Sequence, residues 1–584
     1  MRDARRSLGR QIIAALAFVA AGVLASAALA QAPPKPPPPP PVTAPTSPIE
    51  RVLPVPQPQA EPRLLQMPQT PETGEEGAAV ITIRSVEITG ATVYSSEELA
   101  PFYAGFVGRP APQDEVAKAV REIQTKYRSD GYFLSVVHGT VDPVEGGGYV
   151  LRIRVIEGFI SDVKIEGDIG PAGVLVYNFL NRLTLAHPVN ISDIERALLL
   201  VQGIPGISAR AVLRPGSGEL GAVELVAQVG RKPFGAVANY DNRGPDFAGP
   251  SELLVTGYAN SFTSLGELTE LTVFDTPLNS EQVFTQLASE AYIGSDGLKI
   301  RGYISYGVST PGAELTGTGF KSYLYLGGLS ASYPIIKTRP ISLIANLAFD
   351  LSRTTIAQGT PLRSTQSITN LRVIRGGGTL DYQDDTFGLD VIGANSAIIT
   401  VHKGIVGLGS SRNSSPLPAR PGNVIDFTKL TGELTRVQNL FDFGGFLFAL
   451  KYSIAGQYTK DILPPNEEYF LGGTRYGRGF FSGEITGDRA IGQTTELQVN
   501  TNIEGTLNVG LQYYAFYDTG RTMDLAPGDV NHKLQSAGFG VRVDLTPQLT
   551  GELEVARRFT RNPSGTNTTP ESAEAIFIRL VGRY

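Results

Sequence analysis

Thr495-Glu496-Leu497-Gln498-Val499-Asn500-Thr501-Asn502-Ile503 changes polarity almost residue by residue. Leu497, Val499 and Ile503 share one parity, and Glu496, Gln498, Asn500 and Asn502 the other. Side chains of an extended strand point alternately to its two sides, so the pattern predicts a strand lying between an apolar and a wet environment. The next stretch repeats it, with Leu507, Val509, Leu511, Tyr513 and Ala515 set against Asn508, Gln512, Tyr514, Phe516 and Asp518. Phe539, Val541, Val543 and Leu545 oppose Arg542 and Asp544, and Ile576, Ile578, Leu580 and Tyr584 oppose Arg579 and Arg583.

A soluble sandwich alternates too, so three further features decide. The strands reach about ten residues or more, which suits a tilted membrane crossing. One face carries charge, as a water-filled lumen would. The terminal strand contains Phe577 and closes on aromatic Tyr584, which resembles the sorting signal of outer-membrane proteins. At roughly 20 to 24 residues per strand and loop, residues 232–584 hold about 16 antiparallel strands of a transmembrane β-barrel.

The chain's beginning agrees with that destination. Arg2, Arg5, Arg6 and Arg10 precede an apolar run from Ile12 to about Leu24 and an Ala28-Leu29-Ala30 cleavage signal, so residues 1–30 read as a secretory signal peptide. Residues 31–79 form a Pro-rich linker, with Pro36 to Pro41 consecutive, a composition that favours extended polyproline II. After Leu24 no apolar run is long enough for a transmembrane helix. With no Cys in the sequence, disulfides and thiol chemistry are excluded, and a net charge of −6 gives no reason to expect nucleic acid.

Residues 80–158 and 159–231 read as two small α/β modules, each β-α-α-β-β. In the first, a strand opening at Ile81 ends at Gly90. Ser95 and Glu98 form a capping box, and a helix over 114–129 places Val116, Val120, Ile123 and Tyr127 on one face. Strands follow near 132–138 and 149–156. In the second, a strand from Ile160 to Glu166 precedes a helix over 174–183. Asn190 caps another helix, and two strands flank Pro215-Gly216-Ser217-Gly218. Sheets this small leave edges open, and an open edge can accept an extended peptide.

Both modules resemble POTRA domains, the polypeptide-transport modules of outer-membrane assembly and secretion proteins. Val155-Ile156-Glu157-Gly158-Phe159-Ile160 resembles the junction between two of them. Ile204-Pro205-Gly206 and Leu213-Arg214-Pro215-Gly216 resemble the second module of the two-partner secretion transporters. Tyr240-Asp241-Asn242-Arg243-Gly244 is similar to that family's signature where the first barrel strand opens, and Ala331-Ser332-Tyr333-Pro334-Ile335 to its "YP" turn. Family members often carry an N-terminal plug helix, but the prolines between Pro48 and Pro68 leave room only for a short one.

Loop lengths set the topology. Counted back from a periplasmic C-terminus, the connections over 559–574 and 520–533 are long and extracellular. Those at Thr546-Pro547 and Glu504-Gly505 are short and periplasmic. The longest of this set, over 460–493, joins strands 11 and 12 and carries Leu471-Gly472-Gly473-Thr474-Arg475-Tyr476-Gly477-Arg478-Gly479-Phe480. Gly477, Arg478, Gly479 and Phe480 resemble the sixth-loop motif of the same superfamily, with Gly477 in place of the usual aliphatic residue, which implies a more flexible tip. Phe516, Asp518 and Gly520 resemble its partner motif on strand 13. The resemblance implies a lumenal Arg478–Asp518 pair, and the alternation above independently points Asp518 into the lumen.

The resemblance implies an outer-membrane transporter that captures and secretes a large, hemolysin- or adhesin-like partner exoprotein. An outer-membrane assembly or insertion factor of the same superfamily, and a passive diffusion porin, are the alternatives. The four histidines, His138, His187, His402 and His532, show no nucleophile or metal spacing, so no catalytic, metal or cofactor site is expected. The expected partners are the exoprotein, outer-membrane lipid and, during biogenesis, the barrel-assembly machinery, around a monomeric chain.

Overall fold

A computed structural model describes Leu65–Gln66 and residues 80–584, except 146, 360–363, 386–391, 504–508, 529 and 564–571. The signal peptide, nearly all of the linker, the question of a plug helix, the turn at Glu504-Gly505 and the start of its following strand lie outside the described residues. Among the described residues no helix is long and apolar enough to cross a membrane.

After β1 (Leu65–Gln66), the first module comprises β2 (Val80–Thr89), α1 (Ser96–Leu99), β3 (Pro110–Pro112), α2 (Gln113–Ser129), β4 (Val136–Pro143) and β5 (Tyr149–Ile156), in sheet order β3-β2-β5-β4. The capping box forms: Glu98 N donates to Ser95 Oγ at 3.3 Å, and Ser95 N to Glu98 Oε2 at 2.9 Å. α2 buries Val116, Ala119, Ile123 and Tyr127 against Ile83, Leu151 and Ile153. Each large aliphatic side chain so buried contributes about 1.5–3 kcal/mol. The strand expected at 132–138 begins only at Val136. Tyr132 N donates to Tyr127 O at 2.8 Å and the two rings meet edge to face, so residues 132–135 finish the helix as a turn. Glu157, in the joint between modules, accepts from Thr92 N at 2.8 Å, Val93 N at 3.0 Å and Tyr127 Oη at 2.8 Å. Burial pushes its carboxyl up, but these donors outweigh it and hold the group below the ordinary carboxylate range.

The second module comprises β6 (Phe159–Glu166), α3 (Gly173–Asn181), α4 (Ile191–Gln202), β7 (Ile207–Pro215) and β8 (Ala222–Arg231). Its sheet order is β1-β7-β8-β6, so the open edge expected on this sheet is partly covered: Leu65 and Gln66 pair in parallel with Ala211 and Val212 of β7. Asn190 caps α4 by accepting from Ser192 N at 3.0 Å. Its amide also donates to Asp130 O at 2.8 Å, which fastens the second module to the end of α2.

Sixteen antiparallel strands close the barrel. They are β9 (Phe234–Asp241), β10 (Glu252–Asn260), β11 (Leu268–Asp275), β12 (Gln282–Ile293), β13 (Leu298–Ser309), β14 (Lys321–Lys337), β15 (Ile341–Gln358), β16 (Ser364–Asp384), β17 (Gly393–Gly404), β18 (Thr428–Phe443) and β19 (Phe446–Thr459). After β20 (Tyr469–Leu471) and β21 (Ile485–Gly487), a small hairpin inside the long connection, come β22 (Arg489–Ile503), β23 (Val509–Met523), β24 (His532–Thr546), β25 (Leu549–Arg558) and β26 (Glu574–Arg583). The alternation read from the sequence is the inside–outside alternation of the wall. Leu497, Tyr513, Phe539 and Ile578 are exposed on the outer face, whereas Glu496, Tyr514, Asp518 and Arg579 are buried on the inner one. Tyr333-Pro334 is not a turn: it lies within β14, at a bulge between Pro334 and Ile336, because the strand runs on to Lys337. The connection expected over 520–533 is shorter, since β23 continues to Met523 and β24 begins at His532.

The second module is seated on one rim of the barrel. Tyr292, at the end of β12, is buried in the module's core, packs edge to face on Phe179 at 5.4 Å and donates to Gly203 O at 2.8 Å. Arg196 donates to Pro334 O at 2.9 Å, and Ser261 Oγ to Pro205 O at 2.6 Å. Gly206, at φ +72°, could carry no side chain: a Cβ would come within 2.4 Å of Lys232 O. The segments resembling family signatures at 204–206 and 331–335 thus serve the joint between module and barrel.

Candidate functional site

The connection over 460–488 leaves β19 at the rim away from the modules and folds back into the lumen. At its tip Arg478 is buried. Its Nε donates to Asp518 Oδ2 at 3.1 Å and its Nη2 to Asp518 Oδ1 at 3.0 Å, a two-pronged grip that the planar guanidinium alone can make. Nη2 also reaches Thr494 Oγ1 at 2.7 Å, and Nη1 pairs with Glu496. The guanidinium carbon lies 3.9 Å from the centre of the Phe516 ring, within cation–π range.

The neighbouring residues explain why the motif is glycine-rich. Gly477 takes φ +90°, and its N donates to Asp518 Oδ2 at 3.1 Å. A Cβ there would lie 2.6 Å from Leu534. The glycine is therefore a packing requirement on a buried turn, not the source of the flexibility its substitution implied. At Gly479 a Cβ would come within 2.7 Å of Ser536, and the residue's carbonyl accepts from Arg558 Nε at 2.5 Å. Phe480 is fully buried with Leu471, Tyr476 and Leu534. At Gly520 a Cβ would meet Leu471 at 2.7 Å, so this glycine makes room for the loop on the wall.

Several members of the site escaped the sequence reading. Glu496 joins Arg478 to Arg542, whose Nη1 lies 2.9 Å from Glu496 Oε1. Thr494 and Glu496 stand beside Asp518 and Phe516 in the β22–β23 register, a relation that the alternation signalled once those strands were paired. The network continues through Tyr514, which donates to Glu552 at 2.7 Å and Glu554 at 2.9 Å, to buried Arg243. Arg243 Nη2 lies 2.9 Å from Glu554, and Asp241 lies 3.3 Å from its Nη1. Arg243 packs 4.6 Å from the ring centre of Phe577, which faces inward; Tyr584 follows β26, and Lys232 Nζ lies 5.5 Å from its ring centre. Nearer the outer rim, Arg420 reaches Asp488 at 2.8 Å and Asp524 at 2.9 Å, fastening the preceding loop to the start of β22 and the end of β23, which lie side by side.

Two solved structures share the architecture. CdiB from Escherichia coli superposes with a TM-score of 0.70 at 18% identity, over 88% of this chain and 93% of its own. CdiB from Acinetobacter baumannii does so with 0.61 at 14% identity, over 99% of this chain and 98% of its own. No curated protein matches by sequence. Family comparison adds what such low identities cannot: the ShlB-type POTRA domain matches residues 81–158, and the haemolysin secretion/activation protein family ShlB/FhaC/HecB matches residues 392–543, which include both Arg478 and Asp518. Both matches fall on parts of two-partner secretion transporters, and the chain is similar to them in its module and in its barrel.

The transporter's barrel therefore sits in the outer membrane, with its modules on the periplasmic side. Its outward Leu, Ile, Val and aromatic side chains face lipid, as the exposed Leu271, Leu287, Ile304 and Leu553 do. Loop 6, the connection carrying Arg478, enters from the extracellular side. A cavity of about 620 Å³ remains between it and the wall formed by β12 to β19, lined by Arg301, Tyr303, Asp350, Arg375, Lys429 and Glu433 among others.

Proposed function

We propose that the transporter captures the N-terminal region of a large secreted partner exoprotein in extended form and passes it through the barrel beside loop 6. The observation that carries this reading is the seating of a peptide-transport module directly on the mouth of a closed barrel, with Tyr292 of the barrel inside the module's core. A passive porin has no use for such a rigid joint. In this reading the Arg478–Asp518 pair holds loop 6 in its lumenal position, and the module over 159–231 is the principal capture surface. Pairing of Leu65 and Gln66 with β7 supports strand addition there, since that edge accepts an extended segment.

Strand addition draws most of its affinity from backbone hydrogen bonds. Binding of the exoprotein's N-terminal fragment to the purified transporter is therefore expected to tolerate many side-chain changes. It should fall steeply when Pro replaces a residue whose N–H pairs. Fluorescence anisotropy over a proline scan of the fragment measures this. A scan that is flat at every position removes strand addition from the account.

A further inference from the structure

Loop 6 also meets the wall away from Arg478. Glu467, on the limb descending from β19, is buried. Its carboxylate lies 2.9 Å from Arg375 Nη2 of β16 and 2.8 Å from Lys429 Nζ of β18. Lys429 Nζ also donates to Glu467 O at 2.7 Å, as does Gln457 Nε2 at 3.1 Å. Asn466 Nδ2 donates to Thr354 Oγ1 of β15 at 2.7 Å, and Arg475 Nη2 reaches Glu433 of β18 at 2.8 Å.

The two contacts differ in their surroundings. Beside Arg478 the tip packs Phe480, Tyr476, Leu471 and Leu534 together, and of these four only Tyr476 also lines the cavity. Glu467 instead borders the 620 Å³ cavity, whose lining includes it, Arg375 and Lys429. The position along β15 matters as well. That strand runs from the periplasmic rim outward, and Thr354, held by Asn466, lies beyond Asp350, which lines the cavity. Asn466 and Glu467 thus cross the cavity's extracellular end.

We propose that Glu467, with Arg375 and Lys429, is a second latch that closes the outer end of the conduit, and that its release lets loop 6 swing about the fixed Arg478 tip to open the path. This rests on reading the barrel as the conduit. The latch is ionic and borders a cavity large enough for water, so a passing polypeptide can compete for it with its own charged and backbone groups. Arg478, gripped by two carboxylates and a ring among packed apolar side chains, acts as the pivot.

The test is the gating of the purified transporter in planar lipid bilayers. Glu467→Gln keeps the side chain's shape but removes its charge, and Lys429→Gln weakens the same latch from the wall. Each is expected to raise the open-state probability about tenfold or more, because the closed state alone loses the ion pair. The exchange Glu467→Lys with Lys429→Glu is expected to return gating toward wild type. Any of the single variants that assembles and gates like the wild type overturns the latch. Export by the wild type in cells is scored separately: its absence defeats the conduit reading, whereas unchanged gating defeats only the latch.

Discussion

Arg478→Ala is expected to lower export of the partner exoprotein about tenfold or more while leaving the amount of heat-modifiable barrel nearly unchanged. The substitution leaves Asp518 buried without its bidentate partner and Glu496 with Arg542 and the Gln498 amide. Removing one member of a buried pair costs about 3–5 kcal/mol, chiefly because the remaining charge stays desolvated. That loss falls on the seating of loop 6, not on the wall, whose backbone ladders of sixteen strands are untouched. Arg478→Lys is expected to rescue little, since one ammonium cannot bridge both oxygens of Asp518 and also reach Thr494 and Glu496. Protease accessibility of loop 6 from outside the cell, measured beside exoprotein in the medium, separates a displaced loop from a lost barrel. Normal export by both Arg478→Ala and Asp518→Ala would show that the pair does not hold the loop for transport.

Deleting residues 576–584 is expected to abolish the assembled barrel altogether. β26 pairs along its length with β25, but with β9 only through its last residues, from Arg579↔Asp241 to Arg583↔Val237, beyond which Tyr584 exchanges backbone hydrogen bonds with Ala236. The seam is reinforced by side chains: Asn242 Oδ1 accepts from Ile578 N at 2.8 Å, and Arg579 Nε donates to Asn239 Oδ1 at 3.2 Å. Without β26, one edge of β25 and one of β9 face hydrocarbon with unpaired N–H and C=O groups, each costing several kcal/mol. Outer-membrane fractions run with and without heating report the outcome. A truncated chain that still shows the heat-dependent mobility shift would contradict the closure described.

The sequence revealed most where physics has a short period. Alternation along 495–503, 509–518 and 576–580 identified the wall and placed Asp518 inside, because a strand admits no other arrangement of successive side chains. The capping box at Ser95 and the Asn190 cap were legible for a similar reason, as each satisfies backbone donors within a few residues. Relations that cross the barrel were not legible. Glu467 sits 92 residues from Arg375, and Glu554 sits 311 from Arg243. Such pairs depend on how far loop 6 descends and on strand stagger, which no local pattern records. Tyr333-Pro334 misled as a turn because Pro usually ends a strand; here a bulge absorbs it. Tyr292 gave no sign of its role, since a lone tyrosine at a strand end looks the same whether it meets water or the core of another module.

In the proposed function the exoprotein travels through the lumen beside loop 6. Photo-crosslinking tests it most directly, with a photoreactive residue placed at one position at a time in cells carrying an exoprotein stalled during export. Positions Tyr303 and Gln286 line the cavity, whereas Ile304, next in sequence to Tyr303, is exposed on the lipid face. Exoprotein adducts are expected from Tyr303 and Gln286 and none from Ile304. Adducts from Ile304 alone, or no lumenal adduct while the unstalled exoprotein still reaches the medium, would contradict it.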